Sequence, residues 1–345
     1  MKRLTTLTLL VAVVTVAGAG PALACGGLVN PNGTVSLVKT TTMAGYKDGV
    51  EHYVTSFQFN GGGAEFGSIV PLPGVPSKVE RGGDWTLQRL VEEVSPPVVT
   101  DFAALEQGAR ATANAEVILE TQIDALDITV LKGGGDAVGR WAEDHGFLLT
   151  PDAPEVLDFY AERSPIFLAA RFDPKEARAR GQQVGDGTPI HVTIPTPNPW
   201  VPLRILGLGL GDKALVEADV FLLTDNIPAM LPRPADEEQP EGMVLERSER
   251  ASGSLLADLR SDKGMGWIPK ENMWLTYLRI NEQADDLKHD LALDVSGQDS
   301  PSPVAAGLEA PLEVELPRET DWWQWVAAIV LGLGVLRLAG RVAAR

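Results

Sequence analysis

Apolar residues in this chain gather in short runs broken by glycine and proline, and only the two ends carry long apolar stretches. Between the ends the hydrophobic period switches between two and about 3.6. Residues 35–39 and 53–59 predict strands, with Tyr53, Thr55, Phe57 and Phe59 sharing one face. Asn60-Gly61-Gly62-Gly63 breaks the second run, and 65–72 predicts a third strand that ends on prolines. Further strands are expected at 116–119, 128–131, 166–172, 190–194, 201–206, 218–223 and 274–280. Helices are expected at 84–94, where Trp85, Leu90, Val91 and Val94 are apolar, and at 136–145, with Gly146 as terminator. A third helix is expected after Asp152, with Pro154 early in it and Glu155 closing a capping box. Strands separated by Pro-rich and Gly-rich turns favour antiparallel pairing. The expected fold class is α+β, mostly antiparallel sheet with a few short helices, plus one C-terminal transmembrane helix.

The two ends account for that last element. Lys2 and Arg3 precede an apolar run from Leu4 to Ala19, and Pro21-Ala22-Leu23-Ala24 closes it with small residues at −3 and −1 of a cut before Cys25. This is the layout of a secretory signal peptide, expected to be removed. Cys25 is then the mature N-terminus. A lipoprotein signal would also place a Cys there, but it wants Leu at −3, where this chain has Ala22, so lipidation of Cys25 is the minor alternative. At the other end, Trp322-Trp323-Gln324-Trp325 leads into an apolar run, and Arg337, Arg341 and Arg345 finish the chain. Nineteen residues of helix from Trp322 to Gly340 would reach about 28 Å, close to a hydrocarbon core. Trp at one interface and Arg at the other predicts a single-pass span with its C-terminus inside. Leu316-Pro317-Arg318-Glu319-Thr320 resembles a sorting signal, but Glu319 stands where the scissile Thr belongs. Membrane anchoring is therefore preferred to wall sorting.

The organisation expected is a leader at 1–24, an extracytoplasmic domain of one or two subdomains at 25–296, a Pro-rich stalk at 297–320, a transmembrane helix at 321–341 and a tail at 342–345. The segment between the two hydrophobic ends carries 24 basic residues against 47 acidic ones, a balance of −23. Such a surface repels nucleic acid and anionic lipid faces, so no nucleic-acid partner is expected. A single Cys excludes an intrachain disulfide framework.

Candidate chemistry is sparse. His52, His145, His191 and His289 show no metal-ligand spacing. His52 and His191 fall in strand-like runs, and His145 at a helix end is favourable against the dipole. No nucleophile elbow is present. Ser36-Leu37-Val38-Lys39 matches S-x-x-K, but in a strand positions three apart face opposite ways. Gly133-Gly134-Gly135-Asp136 opens a helix without the Lys-Ser/Thr of a phosphate loop, and the glycines at 207, 209 and 211 lack the completion of a dinucleotide motif. No catalytic residue, cofactor or metal is assigned. Pro71, Pro73 and Pro76 fix φ and remove donors, which makes them a structural corner or, alternatively, a stiff ligand rim.

Four segments resemble one family. These are Cys25-Gly26-Gly27-Leu28, then Phe66 through Pro76, then Leu131 through Trp141 to Phe172, and Trp200-Val201-Pro202-Leu203-Arg204-Ile205. Together they resemble the DUF2330 family of secreted, often membrane-anchored bacterial proteins of unknown function. The likeness spans about two thirds of the expected mature chain. Relatives often carry Trp where this chain has Ser68, and a second Cys that it lacks. The resemblance implies no catalytic residue. The functional expectation is a binding or structural protein of the cell envelope, held at the cell membrane with its N-terminal domain outside. A hydrolase with a site assembled from distant residues, such as His52 or His191 beside carboxylates, is the alternative. An accessory subunit of a membrane complex is the third reading.

Overall fold

The computed structural model describes residues 22–23, 27–29, 39–58, 66–95, 116–182, 187–235 and 242–308. The chain begins with β1 (Ala22–Leu23), β2 (Gly27–Val29), β3 (Lys39–Lys47), β4 (Val50–Gln58), β5 (Phe66–Pro71), β6 (Lys78–Arg81) and α1 (Thr86–Val94). It continues through β7 (Glu116–Ile123), β8 (Leu126–Lys132), α2 (Gly135–Asp144), α3 (Ala153–Ala161), β9 (Ile166–Phe172), α4 (Pro174–Ala179), β10 (Gly187–Pro195) and β11 (Trp200–Val201). A 3-10 turn at Arg204–Gly207 precedes β12 (Leu215–Thr224), β13 (Ala229–Leu231), β14 (Gly242–Arg250), α5 (Gly253–Ser261), β15 (Trp274–Gln283), β16 (Leu291–Asp294) and α6 (Pro303–Ala306).

The strands form an eight-stranded sheet ordered β14-β15-β12-β3-β4-β10-β6 with β1 beside β3, a five-stranded sheet ordered β2-β5-β9-β8-β7, and a small sheet β11-β16-β13. Pairing is antiparallel except at β3–β12 and β1–β3. This is the mixed α+β, mostly antiparallel architecture that the turn chemistry implied. The two large sheets face each other across one apolar layer, in which Tyr53, Ile190, Val192 and Val220 of the first meet Val70, Ile128, Leu168 and Phe172 of the second. The outer face of the five-stranded sheet carries α2 and α3, with Ile69, Phe167, Trp141, Phe159 and Tyr160 packed together. The outer face of the eight-stranded sheet carries α1 and α5, with Met43, Val54, Phe221, Leu90, Leu255 and Leu259. Both faces of β12 are therefore covered, which explains its near-continuous apolar run from Val220 to Leu223.

Several local expectations change. Residues 201–206 do not extend as a strand, because Pro202 ends β11 and the chain turns into the 3-10 segment. The capping box at Asp152 does not form, since its carboxylate accepts from Gly209 N–H at 2.9 Å and Glu155 pairs with Arg204 at 2.5 Å. Within the segment expected to be stalk, α6 buries Ala305 and Ala306, and Gly307 at φ 73° ends it against Phe159; residues 309–320 lie outside the described residues. Ala22–Leu23, expected in the leader, pair with β3. Among the described residues no helix is long and apolar enough to cross a membrane, and the span expected at 321–341 lies outside them.

Asp262, just after α5, ties the helical layer together. Its Oδ2 accepts from Thr86 N–H at 2.8 Å, from Thr86 Oγ1 at 2.6 Å and from Trp85 N–H at 3.3 Å, capping α1 from a residue 176 positions away. Gly83 lets it in, for a Cβ there would sit 1.9 Å from the carboxyl carbon. Asp262→Ala strips α1 of its acceptor, and a loss of about 1–2 kcal/mol in denaturant unfolding is expected. A change within error would show that α1 is capped by something else.

Candidate functional site

Period-two geometry on three neighbouring strands builds a cluster of titratable groups beneath the helical layer. In β10 the apolar Ile190, Val192 and Ile194 face the inter-sheet core, so His191 points the other way. It lies opposite Glu80 of β6 and Val54 of β4, and His52 stands two residues before Val54 on the same face. His52 Nδ1 and His191 Nε2 are 3.0 Å apart, a hydrogen bond between imidazoles. Glu80 Oε1 is 3.6 Å from the other nitrogen of His191, a charge contact too long for a hydrogen bond, and Lys78 Nζ pairs with the same oxygen at 2.8 Å.

A single indole roofs the pair. Trp267 stacks on His52 with ring centres 4.0 Å apart and planes within 2°. The stack depends on Gly45, the cross-strand partner of His52: a Cβ at that position would lie 2.3 Å from the indole edge. Gly264, at φ +82°, runs over His191, where a Cβ would come 3.0 Å from Nδ1. Two glycines thus let the 262–268 loop lie flat on the sheet, and Met265 and Ile268 bury its remaining side.

Enclosure sets the electrostatics. Burial pushes His52 down to about 3, with the His191 charge adding to it. Burial also pushes His191 down to about 4, against the attraction of Glu80 and with the opposition of Lys78. Both rings are neutral at neutral pH, so one donates and the other accepts. Among the described residues no group of three His, Cys, Asp or Glu is placed to hold a metal ion.

A second buried centre lies on the opposite side of the fold. Asp290 Oδ1 accepts from Tyr160 Oη at 2.7 Å, from Leu203 N–H at 2.8 Å and from Arg204 N–H at 3.1 Å, and Tyr160 Oη in turn accepts from Ile205 N–H at 2.9 Å. This carboxyl anchors the 3-10 turn to α3 and β16. Its other oxygen is buried without a partner, and burial raises the group to about 7 despite those donors. Glu51 of β4 is fully enclosed. The Trp200 backbone N–H is turned toward it without closing a hydrogen bond of normal geometry, and burial raises it to about 8.

His52 and His191 apart, the residues singled out in the sequence fall elsewhere. Pro71 ends β5 and Pro73 and Pro76 carry the chain across to β6, with Pro71 and Pro76 buried. Leu72 N–H on Ile166 O and Ser77 N–H on Thr193 O tie the crossover to both sheets. Gly135 admits the Asp158 carboxylate, which a Cβ would meet at 2.3 Å, so the glycine run is an α2–α3 packing contact. A cavity of about 190 Å³ opens beside it, lined by Asp136, Arg140, Glu143 and Leu149 among others. His145 caps α2, its Nδ1 2.7 Å from Trp141 O and its ring stacked on Trp141. Cys25 and Ser36 lie outside the described residues. Trp267 carried no signal in sequence, and Gly45 was an unremarked glycine inside a strand.

The buried carboxyls make stability pH-dependent with a definite sign. Their folded pKa values lie above the usual carboxylate range, so the folded state holds protons that the unfolded state releases, and stability falls as pH rises from about 4 toward 7–8. The slope is at most about 1.4 kcal/mol per pH unit for each group. Glu51→Gln is expected to raise stability at pH 8 and to change it little at pH 5, read by urea denaturation. Equal effects at both values would mean that Glu51 is not protonated in the fold.

Comparisons with known proteins come to a short account. A search of curated proteins gives no match. Among solved structures the chain is similar to baculovirus P35, at 12% identity over 74% of this chain and 96% of that one, with a TM-score of 0.41. A mutated baculovirus P35 after caspase cleavage is similar at 7% identity, over 76% of this chain and 100% of that one, with a TM-score of 0.39. Scores of this size carry no argument about fold or activity. The family model for DUF2330, an uncharacterized protein conserved in bacteria, matches residues 19–217. That match takes in more than half of the sequence, including β1 to β11 with both histidines of the pair, and the chain belongs to the DUF2330 family.

Proposed function

We propose that this chain is a membrane-tethered domain on the outside of the bacterial cell, acting by binding or as a structural part of the envelope and not by catalysis. The enclosure of the His52–His191 pair carries this reading. A general acid or base must reach its substrate and works best with a pKa near the operating pH. These imidazoles are bonded to each other beneath Trp267 and lie well below neutrality. The distant-residue hydrolase would have used this pair, and the geometry argues against it. The leader pattern before Cys25, the apolar run after Trp325 and the acidic balance of the intervening segment support the tether and the outward placement.

Protease shaving of spheroplasts tests the topology. With an epitope inserted at the exposed Gln298 and a reporter fused after Arg345, the epitope is expected to be digested and the reporter protected. A protected epitope with a digested reporter would reverse the orientation. Equal protection of both would place the domain inside the cell.

A further inference from the structure

Beneath the Trp267 roof lies a contact between two histidines that a proton would weaken. His52 and His191 lie together because both are neutral, and Trp267 lies on His52 because Gly45 leaves it room. The loop that carries Trp267 is fixed at its start by Asp262 and pinned on either side of the indole by buried Met265 and Ile268, and Trp267 between them lies half-buried on His52. We propose that the His52–His191 pair is an acid-sensitive latch that keeps the Trp267 loop closed on the eight-stranded sheet and releases it when the imidazoles take up protons.

Two adjacent imidazoliums repel and lose the hydrogen bond that needs one ring nitrogen as acceptor. The charged groups around the pair are few. From β6, Glu80 favours protonation of His191 and Lys78 opposes it. From the loop, Asp262 is committed to the N-terminus of α1 and Lys263 is exposed. From β3, His52 faces Gly45, and Lys47 pairs with Asp48 and Asp225. From the helices, Arg89 and Asp258 pair with each other across α1 and α5. Among the described residues only Glu80 is placed to offset a charge on the pair, and its contact is with His191. His191 therefore takes the first proton, and the second goes to the ring beneath the indole.

Opening returns both rings to water and to their ordinary value near 6.5. Their closed-state values are lower, so the closed state binds fewer protons, and closure is lost as pH falls from 6.5 toward 4. Each histidine shifts the opening equilibrium by up to about tenfold per pH unit, so the pair shifts it by up to about a hundredfold. The switch works in mildly acidic surroundings, which an outward-facing domain would meet, although it holds for the isolated domain in any compartment.

Acrylamide quenching of tryptophan fluorescence in the full chain, purified in mild detergent, reads the loop between pH 7.5 and 4.5. A quenchable component is expected to grow as pH falls below 6.5 while far-UV dichroism stays constant, and to be absent from Trp267→Phe. The His52→Phe/His191→Phe double variant keeps ring volume and removes both protonation sites, and its quenching is expected to be flat with pH. If that variant does not fold, Glu80→Gln serves instead: it removes the charge that offsets protonated His191 in the closed state, so the transition is expected to move to higher pH. The latch is overturned if wild type and Trp267→Phe give the same curve. It is equally overturned if the acid response persists in the double variant or is unmoved in Glu80→Gln.

Discussion

Both large sheets are covered on both faces, so a polar side chain that points inward has no water to turn to. Most of the internal polar contacts follow from this one constraint. Thr42 and Thr55 meet across β3 and β4 at 3.3 Å, Tyr277 donates to Asp219 across β15 and β12 at 2.8 Å, and Asp290 collects Tyr160 and two backbone donors. The first fixes the register of neighbouring strands and the other two join elements far apart in sequence, so the polar contacts act together with the apolar core. Glu51 shows what happens where no partner arrives, for its carboxyl escapes the penalty by holding a proton.

The histidine pair obeys the same rule under a further restriction. Two neutral imidazoles satisfy one another only through one nitrogen each, which leaves His191 Nδ1 without a hydrogen bond and 3.6 Å from Glu80. The indole face above His52 offers stacking and no acceptor. The arrangement thus suits neutral rings, and Glu80 beside His191 is the acceptor it offers to an added proton. A structural pair with spare acceptors would be indifferent to pH; this one is not, and the difference lies in the placement of a single carboxylate on one side only.

The alternation of apolar positions carried most of the sheet framework, because β5, β8, β9, β10, β12 and β15 each set a period-two or continuous apolar run against turn residues. The helices α1 and α2 were legible for the matching reason, and Gly146 stops α2 with φ +81°. What escaped was decided by distant partners. Nothing near Thr86 announces that its helix is capped from Asp262, and the capping box at Asp152 lost to Gly209 because tertiary contact outbid a local bond. β14 and α5 were missed because the polar half of each masks its buried half: Val244 of β14 and Leu255, Leu256 and Leu259 of α5 go inside while Glu249 and Arg250 stay out.

The same reasoning explains why the candidate site was half visible. Reading His52 and His191 as ordinary sheet residues was right about their strands and silent about their partnership, since 139 residues separate them and only the β4–β10 register brings them together. Trp267 could not be read from its neighbours, because its place depends on an absence, the missing Cβ of Gly45 on a strand more than two hundred residues earlier. A slot of this kind is specified by what one residue lacks and another fills. Any side chain at position 45 would lift the indole and let water reach His52, and the depressed pKa values would relax with it. The environment of the pair is therefore a property of the roof, set where Gly45 leaves room for the Trp267 indole.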